Sequence, residues 1–190
     1  RKMRGIGASL PWTKWAFLIG SLALIGVPPF AGFFSKDSII ATALHAHWYG
    51  VILAVVALIG AFLTGLYTFR LYFIVFGPGE ARAEHHGEGP RTMLLPVGVL
   101  SVLALVGGWI QFAPFWTPVT HWLEPAARTL GVAEPTDAQE AIASILAVAL
   151  GLAGIAVAYL IYAKGRVAVP SRPRLQRALE HKLYFDEAYD

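Results

Sequence analysis

Lys36 and Asp37 stand side by side in a stretch otherwise made of apolar residues, serine, glycine and proline. A charge facing lipid costs about 2.5–3.5 kcal/mol on insertion scales, so ionisable residues at membrane depth face protein or water. A lysine in such a place suits proton relay, because desolvation and a nearby carboxylate move its proton affinity in opposite directions and leave it open to tuning. Asp37 has two readings, a relay partner or a first-turn carboxylate that complements a helix dipole. Lys36 has a second reading too, as half of a structural ion pair. Neighbouring helical positions point about 100° apart, so the two need not pair with each other.

Lys36, Ile40, Ala43 and His47 fall on one helical stripe. His47 is therefore a candidate proton outlet, with a plain interfacial histidine as the other reading. Arg70 has Tyr67 and Tyr72 nearby in sequence. It snorkels to the interface or bonds between helices, or else faces inward with Tyr67 and Tyr72 as polar support inside the membrane. The pair His85-His86 with Glu88 sits in a Gly- and Pro-containing loop and lacks the supporting pattern of a zinc site, so it reads as a solvated loop. With no cysteine, thiolate metal sites, iron–sulfur ligation and thiol catalysis are excluded. No phosphate-binding glycine loop, zinc-peptidase helix or serine elbow occurs. Bond chemistry, a bound cofactor and a bound metal are not expected in this chain.

The elements that must hold Lys36 are helices. The chain has 190 residues, 56% hydrophobic and only 14% charged, with mean hydropathy +0.58. That is far less charged than a soluble domain. A bilayer core about 30 Å thick needs about 20 apolar residues in a helix. Four segments qualify, at about 15–46, 51–76, 93–112 and 138–163. The predicted fold is all-α, a polytopic membrane bundle over 1–168. The first span is too long for one upright helix. Pro29 lacks an amide hydrogen and forces Pro28 out of helical torsions, so the run between Gly26 and Gly32 is expected to unwind. Unwound backbone at this depth survives only where protein or water satisfies it, and it marks ion pathways in transporters. Ala57, Ala61 and Gly65, like Ala143, Ala147 and Gly151, recur at four-residue spacing and predict close helix packing.

With four spans, both ends and the middle loop share one side, which carries twelve Lys and Arg against Arg128 alone on the other. The rich side is cytoplasmic by the positive-inside rule, or the matrix side in an organelle. Trp12 and Trp15 flank the first entry, whereas Trp48, Trp109, Trp116 and Trp122 gather at the opposite interface. The net charge of +3 is spread over short loops, which explains it without a nucleic-acid partner. Residues 169–190 interleave Arg174, Arg177, Glu180 and Lys182 with Leu175, Leu179, Leu183 and Phe185, the pattern of a cytoplasmic amphipathic segment on a membrane or partner surface.

The stretch Gly26–Asp37 (GVPPFAGFFSKD) resembles the interrupted twelfth transmembrane helix of the subunit L family of NADH-quinone oxidoreductase, the distal antiporter-like subunit of respiratory complex I. Tyr67–Arg70 (YTFR) with Phe73–Phe76 (FIVF) resembles the next helix, and His181–Asp190 (HKLYFDEAYD) the segment before that family's long lateral helix. The resemblance implies a C-terminal portion covering helices twelve to fifteen. It also implies a proton-relay role for Lys36 with Asp37 as its acidic neighbour. NADH, FMN, iron–sulfur clusters and quinone would then be handled by other subunits. The implied partners are the other membrane subunits, especially the adjacent antiporter-like one, together with the lipid bilayer. The expected setting is a bacterial inner (plasma) membrane rather than a mitochondrial one, with both ends of the chain cytoplasmic. On this reading the chain is part of an enzyme, a proton-translocating quinone reductase. The alternative is the large subunit of a multi-subunit sodium/proton antiporter, which shares the broken helix and its lysine without redox chemistry.

Overall fold

A computed structural model describes residues 5–45, 48–77, 87–111 and 136–165, with 118, 121, 122 and 125 besides; the side chains of residues 37, 45, 111 and 137 are outside that description. Five α-helices have both ends among these residues, which include no strand: α1 Pro11–Ile25, α2 Ala31–His45, α3 Gly50–Phe76, α4 Arg91–Val106 and α5 Asp137–Ala158. A 3₁₀ turn at Ile6–Ala8 precedes α1, another at Gly107–Gln111 extends α4, and a π turn at Tyr159–Ala163 extends α5.

Three stretches are long and apolar enough to cross a membrane, Gly50–Phe76, Arg91–Ile110 and Ala138–Ala163. They coincide with the second, third and fourth segments marked by hydropathy. Over the first segment, 15–46, two helices of 15 residues occur, α1 and α2. Each rises about 22 Å, short of a bilayer core on its own. Pro11 opens α1 at a position where a missing amide hydrogen costs nothing, and α5 opens on a capping box made by Thr136 and Gln139.

α3 and α5 form the most extensive contact, and α2 packs against both. The small residues explain how closely they approach. A Cβ added at Gly65 would strike the Gly151 carbonyl oxygen, and one at Gly154 would strike that of Phe62. Ala54, Ala143 and Ala147 close a buried cluster with Ile40 and Ala41 of α2. A second cluster joins Ile25 at the end of α1 to Phe69 and Ala158. α4 is peripheral: it packs on α1, none of its residues is buried, and its 3₁₀ extension reaches α2.

The amphipathic segment at 169–190, the loop histidines His85 and His86, and most of the connection between α4 and α5 lie outside the described residues.

Candidate functional site

The joint between α1 and α2 follows from its amino acids. An α-helix leaves its last four carbonyls without intrahelical amides. In α1 these are the carbonyls of Leu22, Ala23, Leu24 and Ile25. Gly26 adopts φ 84°, the left-handed conformation that glycine tolerates, and closes a Schellman turn. Its amide donates to Leu22 O and Ala23 O, and the Val27 amide donates to Leu22 O, each at 3.2 Å. Two carbonyls are thereby satisfied and two remain.

The remaining pair are those whose helical donors would have been the amides of residues 28 and 29. Both positions are proline, joined by a cis peptide bond, and neither has a hydrogen to give. Lys36 supplies what is missing. Its Nζ donates to Leu24 O and to Ile25 O, both at 3.2 Å. A cation thus sits on the negative pole of α1, where helix dipole and hydrogen bonding act in the same direction.

That reach depends on how closely the helices approach. α2 resumes at Ala31, so Gly32 lies in its first turn rather than in the unwound run, which is confined to Gly26–Phe30. Gly32 lies directly on Ala23: a Cβ there would collide with the Ala23 carbonyl oxygen. A Cβ on Gly26 would lie 3.2 Å from Gly32 O. Protein surrounds the joint elsewhere as well. A Cβ on Gly108, beyond α4, would be 2.8 Å from Pro29 O and from the Phe34 ring, and one on Gly151 of α5 would be 2.7 Å from Ile25 Cγ2.

The early start of α2 changes the reading of Asp37. As the seventh residue of the helix it belongs to the second turn, and the first turn has no acidic residue. A first-turn dipole role is therefore corrected, since that effect fades within one turn. Its side chain lies outside the description, as does His47 entirely. Ile40, one turn after Lys36, is buried between α3 and α5, so the stripe that carries Lys36 faces the bundle.

Arg70 and Tyr67 are not brought to this joint. Tyr67 is 56% exposed. The Arg70 guanidinium lies over the Tyr162 ring at 5.4 Å, a cation–π contact to the end of α5. Tyr72 joins an aromatic group with Phe17, Phe69, Phe73 and Phe76. The Arg70 contact is thus an interhelical one, from α3 to the turn that ends α5.

Sequence reasoning missed two parts. The Leu24 and Ile25 carbonyls had a usable signal, since each proline names the acceptor four residues earlier that it leaves orphaned. Glu88, read as solvated, instead caps α1. Its Oε1 accepts from the Trp12 amide at 2.7 Å and the Thr13 amide at 3.2 Å, and its Oε2 accepts from Thr13 Oγ1 at 2.7 Å. Both poles of α1 are therefore met by complementary charges from other segments. Among the described residues no three His, Cys, Asp or Glu come together as a metal site.

Residues 1–64 match the family described as NADH:quinone oxidoreductase/Mrp antiporter, TM. An NADH-quinone oxidoreductase subunit L from Mycobacterium tuberculosis is 38% identical over 98% of this chain and 30% of its own length. A chloroplastic NAD(P)H-quinone oxidoreductase subunit 5 from Chara vulgaris is 35% identical over 97% of this chain and 28% of its own length. Subunit L from Escherichia coli (strain K12) is 37% identical over 76% of this chain and 23% of its own length. The chain spans less than a third of the length of these relatives. Together with the three long apolar helices, they give it a multi-pass membrane location.

Proposed function

We propose, for a chain that belongs to the subunit L family of NADH-quinone oxidoreductase, that it is part of a proton-translocating membrane subunit in which Lys36 relays protons. Quinone reduction, with its NADH, FMN and iron–sulfur clusters, takes place in other subunits of complex I. The neighbouring antiporter-like subunit is the closest partner, the membrane is a bacterial inner membrane, and both ends of the chain are cytoplasmic. Asp37, and His47 at the outlet, belong to the same relay.

The observation that carries this reading is the pair of hydrogen bonds from Lys36 Nζ to Leu24 O and Ile25 O. Protonated Lys36 has three donors and a full charge for the negative helix pole; neutral lysine loses the charge–dipole attraction. That attraction is worth up to about 2 kcal/mol in a partly buried place, and each 1.36 kcal/mol is tenfold in population. A bias of this size favours docking of the charged form, yet a changed field can reverse it. Loss of the proton frees the side chain, and uptake returns it to the joint.

In the proposed topology α1 and α2 together form one crossing, the first of four. Contacts at the α1 entrance support it. Glu88, beyond α3, bonds to Thr13, and a Cβ on Gly7 would lie 2.6 Å from Phe76 O. The chain therefore ends α3 beside the point where α1 began, as a pair of crossings requires.

Lys36→Met and Lys36→Arg test the relay in the assembled complex. Arginine retains donors for both carbonyls but does not release its proton. Both variants should assemble, and both should lose proton uptake into inverted vesicles, measured with a pH-sensitive dye. Normal pumping by either variant would reject the relay.

The sodium/proton antiporter reading remains the second, because the matched family description joins the two activities over the residues that carry Lys36. Sodium flux that persists in a host without quinone or NADH oxidation would favour it.

A further inference from the structure

A groove of about 640 Å³ runs between the start of α1 and the outer face of α4. Its mouth is formed by Trp12 and Arg91, and Leu95, Gly98, Val102 and Leu103 continue along its wall. From Arg91 to Leu103 the wall extends about 18 Å along the helix. We propose that this groove is a specific site for an anionic glycerophospholipid, with its phosphate on Arg91 and an acyl chain laid along α4. The site is independent of the relay assigned to Lys36.

Three observations favour this occupant. The first is charge. Arg91 is exposed at the mouth, among the described residues no ion pair engages its guanidinium, and Lys14 lies one turn into α1. Arginine matches phosphate geometry through its planar fork, and basic residues at helix ends attract anionic headgroups. Glu88 is the nearby acid, but its carboxylate is turned to the α1 amides and the Thr13 hydroxyl. The second is the division of the lining. Trp12 is 72% exposed beside Arg91 and suits the headgroup zone, whereas the rest of the wall is aliphatic. The third is size. A helix about 10 Å wide and 18 Å long takes up about 1,400 Å³. The groove holds less than half of that, a volume closer to an alkyl chain.

Gly98 makes the site testable. A Cβ at this position meets no atom within 4 Å, so Gly98→Leu projects into the groove without striking the protein. The complex, purified from its native membrane, would be exchanged with a photoactivatable phosphatidylglycerol, and the adducts mapped by mass spectrometry. Labelling should fall on α4 between residues 94 and 103, drop at least tenfold in Gly98→Leu, and survive in Gly98→Ala. Arg91→Gln should lower it several-fold and erase the preference over phosphatidylcholine, while Arg91→Lys should preserve most of it. Thermal melting of each purified variant separates a filled groove from a failed fold. Equal labelling in folded Gly98→Leu would overturn the proposal. So would equal labelling by phosphatidylcholine in the unmodified complex, or a crosslink from position 98 into a polypeptide segment.

Discussion

Glu88 and Thr13 are joined through both carboxylate oxygens, one taking the Thr13 amide at 3.2 Å and the other its hydroxyl at 2.7 Å, across 75 residues of chain. α1 has no side-chain cap from its own N-cap residue, Leu10. Losing a helix cap costs about 0.5–2 kcal/mol. Glu88→Ala should therefore lower the thermal stability of the purified complex by an amount in that range. Glu88→Gln, which retains an acceptor oxygen, should recover part of it. Equal melting of Glu88→Ala and the parent would rule out the cap.

The joint should be least tolerant where backbone meets backbone. Gly32→Ala places a methyl on the Ala23 carbonyl oxygen, and neither partner is a flexible side-chain end. Overpacking of this kind costs about 1–3 kcal/mol. Gly26→Ala meets less crowding but must adopt φ 84°, at a cost of about 1–2 kcal/mol. Both should reduce assembly yield, with Gly32→Ala the worse, as read by the amount of chain recovered in the intact complex.

On α3, Gly65→Val should separate that helix from α5, because Gly65 faces the Gly151 carbonyl. Gly60, where a Cβ meets nothing within 4 Å, is the control. Gly60→Ala should leave melting unchanged or raise it, since alanine is the better helix former by about 1 kcal/mol. Equal effects at the two positions would deny that the α3–α5 crossing depends on missing side chains.

Thr68 is 5% exposed, and among the described residues its hydroxyl has no hydrogen-bond partner. Exchange for the similarly shaped valine removes an unsatisfied group, which is near neutral or stabilising by about 1 kcal/mol. Thr68→Val should melt at or above the parent temperature. A clear loss would mean that the hydroxyl is bonded in the whole protein.

Hydropathy made the long helices legible, because 20 or so apolar residues have few other soluble or membrane destinations. α1 ends at Ile25 and α2 starts at Ala31, with the proline pair between them, and the effect of a missing amide is local. Other features depended on residues far apart in sequence. Glu88 gave no local sign that it would cap a helix through Trp12, 76 positions away. Arg70 has tyrosines within three residues, yet its ring partner is Tyr162, on the helix that packs beside α3. The assignment of Asp37 to a first turn failed by a shift of helix start. A single turn beginning at Ala31 decides it, and such boundaries are the least visible part of a sequence.

The bare crossing of α3 and α5 also limits where movement is possible. Residues 65, 151 and 154 interpose no layer of side chains that could repack to let one helix slip past the other. The α3–α5 pair is therefore the rigid spine of the bundle, and α2 rests against both of its members.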